Sequence, residues 1–247
     1  DPARVRPFAA DPDANTVADM LGDLPLALHV AGAYIAHYRL TPAQYLAELR
    51  GHSSALEHES LQDWLKDELP TEHIPNVTAT FEVSYSKLLP HSHTPALPFR
   101  LFHFLAHCAP AAPLPREALM RAVVEKEKEK EGEKELTDAL RALADVGLVT
   151  LDSELRPITH RLLQEFALLR APTPDADAER MEEVVGSMAA MINKGGLPKA
   201  MEPLALHLQT LAERAEARES ESAGLLFNQL GYHLKMIADY AAARAAL

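Results

Sequence analysis

From residue 15 to residue 36 the apolar positions recur at helical spacing in two short runs, interrupted by Gly22 and Pro25, which predicts two helices joined by a turn. The next stretch, RLTPAQYLAELRG, carries its own start signal. Thr41 is a good N-cap, Pro42 suits the first helical position, Gln44 completes a capping box, and Gly51 is expected to close the helix. Residues 52–75 read as a connector with one amphipathic turn around Leu61, Trp64 and Leu65, bracketed at its end by Pro70 and Pro75. From Asn76 the pattern turns apolar again. NVTATFEVSYSKLL favours helix despite its β-branched content, TPALPFRLFHFLAHCAP predicts a more hydrophobic helix capped by Thr94, and LPREALMRAVV predicts a third.

Glu125 to Glu135 is a strict Glu/Lys alternation broken by Gly132. It places opposite charges three apart and like charges four apart, so it reads as a solvated loop or helix extension. Beyond it, Leu136, Leu140, Leu143 and Val146 line one helix face, with Gly147 as the expected C′ residue. LVTLDSELRPITH then alternates as two short strands, 148–151 and 156–159, about a polar turn at 152–154, and HRLLQEFALLR returns to helix. After the linker-like APTPDADAE come three helical patterns, 181–192, 200–218 and 222–247, the first two separated by Gly195 and Gly196.

The expected class is therefore mainly α. A helical domain spans 1–52 and a connector 53–75. A winged-helix domain with a small β-hairpin covers 76–170, with a charged insertion at 125–135. A helical linker and a first tetratricopeptide-like hairpin occupy 171–247. The winged helix rests on the order of helices, hairpin and last helix. The repeat rests on Phe227, Leu230, Gly231, Leu234, Tyr240, Ala243 and Leu247, where small residues let two helices approach and large ones fill the groove. A lone repeat leaves an apolar face open, so the expectation is a longer array of which 247 residues are a piece.

Composition narrows the functions. A net charge of -12 disfavours a broad nucleic-acid or anionic-membrane footprint, both of which need a local excess of Lys and Arg. The single cysteine, Cys108, rules out an internal disulfide and fits a reducing, cytoplasmic setting. No apolar run approaches the ~20 residues of a membrane helix, and the first residues lack the order of a signal peptide.

Four segments, GDLPLAL, ATFEVSYSKL, LRALADVGLV and ITHRLLQEFA, occur here in the order in which similar segments stand in NB-ARC-type signal-transduction NTPases that carry tetratricopeptide repeats. The chain resembles the part of such proteins that follows the P-loop domain. The resemblance implies that Pro25 packs against the adenine of a bound nucleotide. It implies that His160 reaches the phosphates and holds the winged helix closed over ADP. It further implies repeats that engage a protein partner, and an oligomer on activation. Two departures stand out. Arg161 follows His160 where the family often has Asp, and none of the ten glycines is followed by Lys, so no G-x-x-x-x-G-K-[ST] phosphate cradle exists in this chain. ADP or ATP is expected in the intact parent, with an upstream nucleotide-binding domain. No tight nucleotide binding and no catalysis are expected of residues 1–247 alone.

Two other readings follow from the residues. One is a winged-helix DNA-binding regulator with a repeat sensor and a recognition helix over 134–146. The other is a metal-dependent enzyme built on His103, His107 and Cys108, with His91 and His93 nearby. The first is weakened by the acids of its recognition helix, the second by the lack of a further Cys or carboxylate at matching spacing. No G-x-S-x-G or similar nucleophile signature appears.

Overall fold

The structure is a computed structural model that describes residues 11–53, 74–88, 96–123 and 129–246. It is mainly helical. The elements in order are α1 (Pro12–Met20), α2 (Pro25–Tyr38), α3 (Pro42–Ser53), α4 (Ile74–Ser86), α5 (Leu97–Ala106), α6 (Arg116–Val123), α7 (Glu129–Asp145), β1 (Thr150–Leu151), β2 (Pro157–Ile158), α8 (Arg161–Arg170), α9 (Pro174–Gly195), a 3-10 turn (Pro198–Met201), α10 (Glu202–Ala217), α11 (Ala223–Met236) and α12 (Tyr240–Ala246). They form two compact units. The first gathers residues 1–93 and 143–148, the second residues 94–142 and 149–247. The expected connector turn at Leu61, Trp64 and Leu65, the Thr94 cap, His91, His93 and the first residues of the charged run lie outside the described residues.

In the first unit α4 is the central element, packed by α2 and α3. Every residue from Val77 to Tyr85 is buried, which explains why its β-branched content does not turn it into a strand: a helix covered on all sides needs no amphipathic stripe. Among its hydroxyls that of Thr80 is satisfied locally, whereas Ser84 Oγ is buried without a hydrogen-bond partner. Thr80 Oγ1 donates to the Asn76 carbonyl at 2.9 Å and accepts from Tyr45 Oη at 3.2 Å. Asn76 Nδ2 closes the end of α1 by donating to the Met20 carbonyl at 3.0 Å.

The capping box at Thr41 forms as expected. The Gln44 N–H donates to Thr41 Oγ1 at 3.2 Å, and the Thr41 N–H donates to Gln44 Oε1 at 2.8 Å. Thr41→Ala should lower the stability of the first unit by about 1 kcal/mol, read as a shift in its denaturant midpoint; an unchanged midpoint would show that the box is not holding the helix. Gly51 does not close α3, which runs on to Ser53. A glycine inside an exposed helix costs only about 1 kcal/mol, and two further residues, His52 and Ser53, continue the helix beyond it. The N-cap position of α5 is Ala96, with Pro98 in the first turn setting the start.

In the second unit the hairpin is shorter than its sequence pattern. Thr150 pairs with Ile158 and Leu151 with Pro157, antiparallel. Asp152 holds the turn, its Oδ1 accepting from the Glu154 and Arg156 N–H groups at 2.9 Å each. The segment 111–114 lies along β2, where the Ala111 N–H donates to the Thr159 carbonyl and the Leu114 N–H to the Pro157 carbonyl, both at 3.0 Å.

The later helices stack in sequence, α9 on α10, α10 on α11, α11 on α12. Leu226, Leu230 and His233 of α11 are buried, and Gly231 and Ala243 are buried where small residues were expected. Tyr240 differs, being 67% exposed. Two arginines from these helices close the carbonyl ends of earlier ones. Arg180 on α9 donates to the Ala122 and Arg121 carbonyls at the end of α6, and Arg214 on α10 donates to Ala106 at the end of α5. Among the described residues no helix is long and apolar enough to cross a membrane.

Candidate functional site

The first motif sits on a tight turn. Gly22 and Asp23 both take the left-handed backbone, φ 63° and 53°, and Leu24 leads into α2 with Pro25 in its first turn. The turn is held by the Asp23 N–H donating to the Ala18 carbonyl at 3.0 Å. Glycine tolerates this region and aspartate is among the few others that enter it readily, which accounts for the GD pair. The ring of Pro25 is exposed. On the same side of α2, at helical spacing, stand His29, Gly32 and Ala36, also exposed.

Beside this stripe α1, α2 and the start of α3 enclose a cleft of about 750 Å³, whose lining includes Val17, Asp23, Leu28, Gly32, Ile35 and Pro42. A Cβ added at Gly32 would meet nothing within 4 Å. Pro25 does not line the cleft; Asp23 and Leu28 on either side of it do. The local signal for these residues was present, since 28, 32 and 35 fall three and four apart, but a run of small and apolar residues on α2 reads equally well as core.

His160 is the N-cap of α8, with extended backbone at φ -74° and ψ 144°. Its Nδ1 accepts from the Leu162 N–H at 3.2 Å. That bond places the ring proton on Nε2, so an exposed imidazole presents an N–H donor at the positive end of a helix. Desolvation, and then the charge of Arg161, hold the imidazole below its ordinary value, favouring the neutral ring. Pro25 belongs to the first compact unit and His160 to the second.

The His103, His107 and Cys108 group is buried. His103 Nδ1 lies 3.9 Å from Asp177 Oδ2, and Cys108 Sγ donates to the Phe104 carbonyl at 3.6 Å. Burial pushes the Cys108 thiol up to about 12, far from a reactive thiolate. Among the described residues no three His, Cys, Asp or Glu side chains come together to hold a metal ion. Over 133–145 of α7 the exposed charges are Glu133, Glu135, Asp138 and Asp145 against Lys134 and Arg141, a poor surface for duplex phosphates.

Sequence reasoning passed over Gln164, His207 and Arg214. Gln164 Nε2 donates to the Leu105 and Cys108 carbonyls at 2.9 and 3.1 Å. His207 accepts the Ala109 N–H on Nδ1 at 3.2 Å and faces the Pro113 carbonyl with Nε2 at 3.3 Å. Their partners are 49 to 108 residues away in the chain, and no local pattern announces them. In comparisons with models of protein families, with curated proteins and with solved structures, nothing matches the chain.

Proposed function

We propose that the chain is the regulatory and scaffold portion of a nucleotide-switched signalling ATPase, working in the cytoplasm. In this reading the phosphate-cradling loop and its lysine come from a separate nucleotide-binding domain. The winged-helix part covers ADP in the off state, and the C-terminal helices present a repeat surface to a protein partner. Nucleotide and partner favour different states of the switch, and release exposes an oligomerising surface.

The observation that carries the reading is His160: an exposed imidazole at a helix N-terminus, with Nδ1 engaged and Nε2 free to donate to a phosphate oxygen. The fold around it is consistent. One helix, a segment alongside β2, two further helices and a hairpin precede α8, as in a winged helix, and three successive helix pairings follow it.

The test is a calorimetric titration with ADP. Residues 1–247 alone should give no binding or very weak binding. With the nucleotide-binding domain present ADP should bind tightly, and His160→Ala should weaken it by roughly tenfold, the cost of one hydrogen bond to a charged group. Tight ADP binding by residues 1–247 alone would overturn the division of labour. An unchanged affinity in His160→Ala would remove the histidine from the site.

A further inference from the structure

We propose that Arg214 is a positioning residue for His160, through which the helices after the wing set the direction of the imidazole. Arg214 sits on α10, where Nη1 donates to the Ala106 carbonyl at 2.7 Å and Nη2 faces Glu165 Oε1 at 3.5 Å. One guanidinium fork thus joins three helices: α10, the open end of α5, and α8. Gln164, next to Glu165, ties α8 to the same end of α5 through the Leu105 and Cys108 carbonyls. His207 lies two turns before Arg214 on the same side of α10, and holds the chain that leaves α5 at Ala109 and Pro113.

The joint meets α8 one turn from its N-terminus. Gln164 is four residues and Glu165 five residues after His160, and α8 is only 10 residues long. Fixing that turn fixes the Leu162 N–H, and the bond from that N–H to Nδ1 fixes the tautomer and plane of the ring. A displacement of α10 therefore reaches the imidazole through Arg214, Glu165 and the first turn of α8. Arg180 provides the contrast: it caps the end of α6 in the same chemical way, through Arg121 and Ala122, and its acidic partner is Glu183 of its own helix.

The relevance of this joint to nucleotide rests on the proposed function, but its test needs no nucleotide, so each can fail without the other. The full chain labelled with ¹⁵N is compared with Arg214→Met and Arg180→Met by amide exchange and by the ring-nitrogen shifts of His160. In Arg214→Met the amides of Leu162 to Ala167 should exchange roughly tenfold faster or more, and the His160 shifts should move from the Nε2–H form toward a mixture of tautomers. Arg180→Met should leave both readouts as in the parent. If Arg214→Met leaves the His160 shifts unmoved, or if Arg180→Met moves them equally, Arg214 only stabilises the unit and the proposal is overturned. If Arg214→Met does not fold, Arg214→Lys keeps one donor for Ala106 and loses the fork to Glu165. It should move the His160 shifts partway, and no movement would overturn the proposal as well.

Discussion

Replacing Gly147 with alanine destabilises the first unit by about 3 kcal/mol or more, the sum of two costs that alanine cannot avoid. Gly147 ends α7 at φ +76°. Its N–H donates to the Ala144 carbonyl and the following Leu148 N–H reaches back to Leu143, both at 3.0 Å, the paired bonds of a left-handed helix stop. An L side chain in this conformation costs roughly 1–2 kcal/mol. The second cost is contact. A Cβ here would stand 2.8 Å from Val30 Cα and 3.1 Å from Ala33 Cβ. The nearer atom is backbone in a helix whose Val30 is fully buried, so relief requires α2 to shift. Gly196→Ala is the control. That glycine has φ +66° and nothing within 4 Å, so it should lose only the conformational part, about 1 kcal/mol. Denaturant midpoints of the unit each variant sits in measure the two costs. A Gly147→Ala loss no larger than that of Gly196→Ala would show that the approach of α2 is not tight.

What the sequence made readable follows the range of the interactions involved. Thr41 with Gln44, Gly147 and the Asp152 turn are settled within a few residues, and each stands where its local chemistry placed it. Gly51 does not end its helix because a cap signal states only a preference: α3 continues through an exposed glycine. The charged run is helical from Glu129, where Arg116 of α6 pairs with Glu133 and also donates to Thr137. A long-range partner there offsets the mixed support of the alternating pattern.

The candidate site divides in the same way. Pro25 and His160 were visible as local motifs, and the structure places one at a helix start and the other at an N-cap. The cleft beside Pro25 was not visible, because Leu28, Gly32 and Ile35 look like core until the elements on either side are placed. Arg214 was invisible for a stronger reason. Its meaning lies in a carbonyl 108 residues earlier, and an arginine in an amphipathic helix looks like ordinary surface.

Acid should unfold the second unit before the first. His103, His107 and His207 are each at least 95% buried, with the imidazole of each lowered from 6.5 to about 4, chiefly by desolvation. His107 is pushed further by Arg214, Arg218 and His103. His207 is bound as a neutral ring. It accepts on Nδ1 from the Ala109 N–H, and a proton there would face a donor with a donor. Between pH 6.5 and about 4 the unfolded chain binds protons at these positions and the folded chain does not. Stability therefore rises with pH across that window, is fully present above it, and is lost as pH falls through it. Each group alone is worth about 3 kcal/mol. Because His103 and His107 repel one another when charged, the sum is not additive, and a total on the order of 5–10 kcal/mol is expected, comparable with the whole stability of a domain. In the first unit His29 and His37 are exposed. Far-UV circular dichroism with site-resolved amide exchange on the full chain, taken down from pH 7, should show amides of α5 and α8–α10 losing protection first, with two to three protons bound per unfolding event. His207→Gln keeps a neutral donor and acceptor in place and should reduce that uptake by about one proton. A single transition shared by both units, or an uptake unchanged in His207→Gln, would mean that the buried histidines do not govern acid stability.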